Sequence, residues 1–152
     1  MECKDEVSED LLVTTFQLGE AAFGIEARLV QEVVKVGDIT PVHNAPEEVV
    51  GIRNLRGRIV TVVDLAAALG LGAVAQAAES RLLIVEWQGE TVGFLVDAVH
   101  EAVALPSAQI QVPPASLSEA RRQKLRGIWR EESRLVAILE PRTAFSWEES
   151  QE

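Results

Sequence analysis

The chain has 152 residues, 47% hydrophobic and 25% charged, with a formal net charge of -10 and a pI of about 4.7. That composition fits one compact domain, or two very small ones sharing a core, and the acidity disfavours nucleic acid or an anionic membrane surface as the general partner. Cys3 is the single cysteine, so there is no disulfide framework or thiolate metal site. No N-terminal signal pattern is present, and the longest apolar run, Ile59 to Leu71, is too short to span a bilayer and contains Asp64. The chain therefore reads as soluble and cytoplasmic.

Residues 1–10 and 147–152 are polar and acid-rich and read as mobile tails. Between them one strand pattern follows another. Leu11 to Leu18 is a first apolar run, Gly19-Glu20 turns it, and Phe23 to Glu26 starts the return. Val30, Val33, Val34 and Val36 continue the series, with Glu32 among them, and Thr40 to His43 is a short extended piece. Pro46, followed by two glutamates and two valines, suits a single helical turn, with proline at its start and acids near its positive end. Asn54-Leu55-Arg56-Gly57 is a polar turn ending in glycine, with a leucine at its crest. The β-branched run Ile59 to Val63 behind it fits a strand buried on both faces. Leu65 to Leu69 makes a short helix stopped at Gly70, Ala73 to Ser80 is a small-residue linker, and strand character resumes at Arg81 to Trp87.

The second half repeats the first. A shift of 69 residues lays Phe23-Gly24-Ile25 on Val92-Gly93-Phe94, and Val30, Glu32 and Val34 on Val99, Glu101 and Val103. Gly19-Glu20 matches Gly89-Glu90 with a shift of 70. Gly51-Ile52 matches Gly127-Ile128 with a shift of 76, which also lays Arg58–Asp64 on Arg134–Glu140. The extra residues fall between Pro106 and Gly127, where Pro113-Pro114 and Ser116-Leu117-Ser118-Glu119 predict a loop and a capped short helix. An ordered series of matches, with shifts changing only at turns, indicates two copies of one β unit. Close-spaced short strands with glycine turns predict an all-β fold of small barrels or a sandwich. Two barrels of ~70 residues each are marginal alone, so a shared apolar seam is expected, with two intertwined lobes of roughly 11–80 and 81–146.

Comparing the copies separates scaffold from function. Where the first has Asn54-Leu55-Arg56-Gly57, the second has Arg130-Glu131-Glu132-Ser133, so the scaffold tolerates either turn. An isolated turn of this kind is ordinarily a solvated hairpin. Leu55, flanked by Arg53, Arg56 and Arg58, instead gives the composition of a binding loop. The rival is an enzyme: Gly70-Leu71-Gly72-Ala73-Val74-Ala75 fits a dinucleotide fingerprint, with Glu90 downstream. Against it, Leu65 to Leu69 intervene between strand and glycines, and the chain is too β-rich for a doubly wound domain. His43 and His100 lack ligand spacing, and Asp64 and Asp97 have no nucleophile partner. No metal or cofactor is expected. Arg121, Arg122, Lys124 and Arg126 form a basic cluster; with aromatics at 5%, a solvated helix face is preferred to a nucleic-acid patch.

The segments FQLGEAAFGIEARLVQEV, ITPVHNAPEEVVGIRNLRGRIVTVVDL, RLLIVEWQGETVGFLVDAV and LRGIWREESRLVAILE together resemble the CheW domain of bacterial chemosensory systems, over roughly Leu11 to Phe145. That resemblance implies two SH3-like five-stranded β-barrels, with a CheW-like domain over 11–146. It also implies a non-catalytic adaptor joining a histidine kinase's related regulatory domain to the cytoplasmic tip of a chemoreceptor, recruited to membrane-associated receptor arrays without inserting in the membrane. On the matching motifs it assigns partner binding to Asn54, Leu55, Arg56 and Gly57, to Val30 and Glu32, and to Val99 in the second segment. Packing is the other reading for the valines. Glu32 and Arg56 are expected to pair and order the loop. Arg53 departs from the family pattern, which favours a small or apolar residue there.

Overall fold

The computed structural model describes residues 10–131 and 134–141, including ten strands in two five-stranded sheets. The tails expected at 1–10 and 147–152 lie outside the described residues, except Asp10, which begins the first strand. The strands are β1 (Asp10–Leu18), β2 (Ala21–Glu26), β3 (Val30–Lys35), β4 (Val49–Leu55), β5 (Arg58–Asp64), β6 (Arg81–Trp87), β7 (Glu90–Val96), β8 (Ala98–Pro106), β9 (Leu125–Glu131) and β10 (Arg134–Leu139). Helix α1 (Leu65–Ala68) follows β5, and α2 (Glu119–Gln123) precedes β9.

One sheet has the order β8-β1-β2-β10-β9 and the other β3-β6-β7-β5-β4. The sequence repeat pairs β1 with β6, β2 with β7, β3 with β8, β4 with β9 and β5 with β10. Under that substitution the first order becomes the second, strand for strand. Both sheets have a parallel pair at the corresponding place, β2 with β10 and β7 with β5. Even the isolated bridges correspond: Thr40 with Ile52, and Gln111 with Ile128. The glycines at these bridges are there for close approach. A Cβ on Gly51 would fall 2.2 Å from the Thr40 carbonyl oxygen, and one on Gly127 would fall 2.7 Å from that of Gln111.

A lobe boundary near residue 80 is not what the sheets show. β6 and β7 lie in the sheet with β3, β4 and β5, so residues 30–96 build one lobe, and 10–26 with 98–141 build the other. The chain crosses twice, through the 3₁₀ turn Ala27–Leu29 and at Asp97, again corresponding points of the repeat. Each lobe thus takes two strands from one copy and three from the other. A sequence repeat marks homologous segments but does not say which of them pair.

The main core contains Val60, Val62, Leu82, Leu83, Ile84 and Phe94 of one lobe and Phe16, Leu18, Phe23, Ile25 and Leu139 of the other, which is the expected shared seam. Phe16 and Phe23 stack there with ring centroids 6.1 Å apart. Val13, Leu105, Val136 and Ile138 make a smaller second cluster. Asp64 ends β5 by accepting from Ala67 N at 3.1 Å, capping α1, and from Val74 N at 2.9 Å, pinning the linker. Two local expectations differ. The segment after Pro46 is a turn closed by Val49 N to Pro46 O (3.0 Å), with no helix. Ile59 is exposed, because β5 curls over a core on one side only near its start.

Candidate protein-interaction site

The site begins with the β4–β5 hairpin. Arg56 (φ 53) and Gly57 (φ 88) form a two-residue loop with both residues in the left-handed region, the loop type whose twist suits a hairpin. Asn54 Oδ1 accepts from Gly57 N at 2.8 Å and holds the turn closed. Glycine takes this backbone freely; arginine does not. Arg56 is held there with its Nη2 donating to Glu32 Oε2.

β3 alternates, with Val30, Glu32 and Val34 half-buried and Gln31, Val33 and Lys35 exposed. β3 and β4 are the two edges of their sheet. Curling that sheet into a barrel brings the edges towards each other, so the Glu32–Arg56 pair closes the barrel mouth. The expected pairing is therefore present. The side chains are 31% and 65% exposed respectively, so its role is to orient the hairpin more than to stabilise the fold.

Leu55 is not the exposed apolar group of this loop. It is 5% exposed and belongs to the main core, because β4 turns it inward as the last residue before the loop. Ile59, directly across from Asn54 and 58% exposed, supplies the apolar surface instead. Its place in a continuous apolar run concealed this. Val30 and Val99 are half-buried against the main core. Val99 also lines a groove of about 650 Å³ between the lobes, with Val33, Arg81, Gln17, Asp97 and His100. The structure thus joins Glu32, Asn54, Arg56 and Gly57 in one place and puts Val99 in the neighbouring inter-lobe groove. Val33, exposed on the face of β3 opposite Glu32, belongs to the groove and not to the hairpin; the valine series could have flagged it only with the β3 register known.

The remaining chemistry resolves into structure. Gly70 and Gly72 follow α1 directly, and residues 73–78 form no helix whose N-terminus could face a pyrophosphate. Asp97 Oδ2 accepts from Gly19 N at 2.6 Å, and His100 Nε2 lies 3.1 Å from Gln17 Oε1. The basic cluster is divided: Arg126 pairs with the buried Glu26, Lys124 Nζ donates to Ala68 O at 3.1 Å, and Arg121 and Lys124 border a small apolar pocket of about 180 Å³. Among the described residues no helix is long and apolar enough to cross a membrane.

Residues 12–149 match the family model described as the CheW-like domain. The chain is 31% identical to the chemotaxis protein CheW of Rhizobium meliloti, over 88% of this chain and 86% of that one. It is also 31% identical to CheW of Thermotoga maritima, over 84% of this chain and 83% of that one. Among solved structures it resembles the scaffolding protein TtCheW from Thermoanaerobacter tengcongensis, with a TM-score of 0.78 and 34% identity, covering 86% and 84% of the two chains. The chain belongs to the CheW-like family, and its two lobes are the two SH3-like barrels of that fold.

Proposed function

We propose that this member of the CheW-like family is a non-catalytic scaffold of chemotaxis-type signalling, coupling a chemoreceptor's cytoplasmic tip to a histidine kinase through the kinase's own CheW-like regulatory domain. The observation that carries the site is the Glu32–Arg56 pair, which holds an otherwise strained arginine on an exposed hairpin beside Ile59. An arginine beside an exposed apolar side chain on a preordered loop is the composition of an interface anchor. The inter-lobe groove, with Val99 on one wall and Val33 on the other, is a concave surface of the kind that receives helical segments, which supports this reading. An adaptor needs two surfaces on one stiff body and no reactive centre, and its place at the array follows from what it binds.

The test is a pull-down with the intact chain and an Arg56→Glu variant, which sets two carboxylates against each other at Glu32. Loss of receptor with kinase retained, and an unchanged circular dichroism spectrum, assigns the hairpin to the receptor. Retention of both partners removes the hairpin from the site.

A further inference from the structure

The lobe built from residues 10–26 and 98–141 has an apolar outer surface that the hairpin site does not use. Val136 and Ile138 of β10 point into that lobe's core cluster, so Leu135 and Ala137 face the other way. The register sets Ala137 beside Phe23 of β2 and Ile128 of β9, and Leu135 beside Arg130. Over the Ala137 row, Leu69 and Leu71 at the end of α1, with Leu117 and Leu125 on either side of α2, close the apolar pocket of about 180 Å³. A shallower hollow of about 480 Å³ shares Phe23, Ile128 and Ala137 with the pocket and runs on to Leu135, so the two form one continuous surface. Leu71 and Leu135 stand exposed on it. The pocket lies below the roughly 300–1,000 Å³ of small-molecule sites, and it has room for one large side chain.

Cations border this surface. Arg121 is exposed on α2 at the pocket, Arg130 is exposed across from Leu135, and Lys124 is held at the pocket by its bond to Ala68 O. Glu20 is the only acid among the described residues lining either hollow. The duplication supplies a control. The shift of 76 lays Leu135 on Ile59, so the exposed apolar group is common to both copies. It lays Arg130 on Asn54 and Lys124 on Glu48, a match that the bonds from Glu140 N to Lys124 O and from Asp64 N to Glu48 O repeat in the structure. Arg121 stands on α2, in place of which the first copy has a turn. The scaffold therefore does not require these cations, yet a chain of net charge -10 gathers them around one apolar surface.

We propose that this surface docks an amphipathic helix of a partner protein whose apolar stripe is flanked by carboxylates. Ala137 and Leu135 are two residues apart on β10, about 7 Å along the strand. Side chains at i and i+4 of a helix are about 6 Å apart along its axis. A helix lying along β10 can thus set one apolar side chain in the pocket and the next against Leu135. Its flanking carboxylates then meet Arg121 and Arg130, which select an acidic helix on a chain that otherwise repels one. A single anchor side chain in a pocket with a charged rim is the arrangement of an interface hot spot. None of Glu32, Asn54, Arg56 and Gly57 lines this surface, so the inference stands apart from the receptor site.

The test titrates the intact chain with a stapled helical peptide bearing leucines at i, i+4 and i+7 flanked by glutamates, followed by amide chemical shifts and by calorimetry at low and high salt. Shifts are expected at Leu71, Ile128, Leu135 and Ala137. Arg121→Glu, Arg130→Glu and Leu135→Glu are each expected to weaken binding about tenfold, and salt to weaken binding to the parent. Circular dichroism checks the fold of each variant; if Leu135→Glu does not fold, the exposed Arg121→Glu decides. Equal binding of a control peptide with lysines in place of the glutamates overturns the proposal. So does the absence of saturable binding, or shifts confined to the hairpin and the inter-lobe groove. A concentration-dependent dimer in sedimentation that Leu135→Glu abolishes gives the surface to a second copy of this chain and overturns it too.

Discussion

Arg56→Gly separates what the hairpin does for the fold from what it does for a partner. Three contributions to stability change together. The left-handed backbone at Arg56 (φ 53) costs a non-glycine residue about 1–2 kcal/mol, which glycine recovers. Glycine's greater freedom in the unfolded chain takes back roughly 0.5–1 kcal/mol. The lost pair with Glu32 is worth about 0–1 kcal/mol, since Arg56 is 65% exposed and Glu32 31%. These nearly cancel, so the variant is expected to match the parent within about 1 kcal/mol, a shift of roughly 2–4 °C in melting temperature for a chain of this size. Receptor affinity should fall far more: an arginine at the centre of an interface contributes about 2 kcal/mol, close to thirtyfold. Urea denaturation followed by titration with a receptor tip fragment measures both. Unchanged affinity would refute the binding role, and a melting-temperature drop beyond about 10 °C would show that the pair holds the barrel together.

Further outcomes follow from the framework around the site. Glu26 is buried against Arg126 and Arg28, whereas the repeat places Leu95 and Val50 at the positions corresponding to Glu26 and Arg126. Glu26→Leu alone should cost about 1–3 kcal/mol by leaving Arg126 without its carboxylate, and adding Arg126→Val should recover most of it in chemical denaturation. Asp64→Ala deletes acceptors for Ala67 N and Val74 N and should cost about 2 kcal/mol, with amide exchange accelerating along residues 65–74. Gly51→Ala forces a methyl group into the Thr40 carbonyl 2.2 Å away and should break the Thr40–Ile52 bridge; amide exchange at these two residues reports it.

The strands were legible because alternation and β-branching act locally, and the repeat was legible because side-chain patterns survive duplication. β1, β2, β5 and β6 stand close to where the apolar runs place them. Strand partnership was not legible. Pairing β2 with β10, or β7 with β5, is a long-range choice that no residue near those strands encodes, which is why a cut near residue 80 divides both lobes. At the site, the Glu32–Arg56 pair was legible only through the resemblance to the CheW pattern, since opposite charge alone selects no one partner among 24 acids and 14 bases. Leu55 misled because a turn that looks apolar at its crest was still inside the strand by one residue. Ile59 misled in the opposite sense, since a run of β-branched residues does not show which member faces outward once the sheet curls.

The pairing also bears on how such a chain could couple two partners. Lobes divided cleanly between the halves of the sequence would be joined by one connection and could swing. Here the chain crosses between lobes at 27–29 and again at Asp97, and the main core contains Phe16, Phe23 and Leu139 from one side with Val62, Leu83 and Phe94 from the other. Separating the lobes would expose that seam, and at about 25 cal/mol for each square ångström of apolar surface, the cost of opening it rises quickly. The residues proposed for the site lie on both sides of the seam: Glu32 and Arg56 on one lobe, and Val99 just past the second crossing on the other. On the proposed function, a partner seated in the groove would press on two lobes that share one core. A seam of this kind resists hinge motion, which is the stiffness that the proposed coupling of a receptor to a kinase requires.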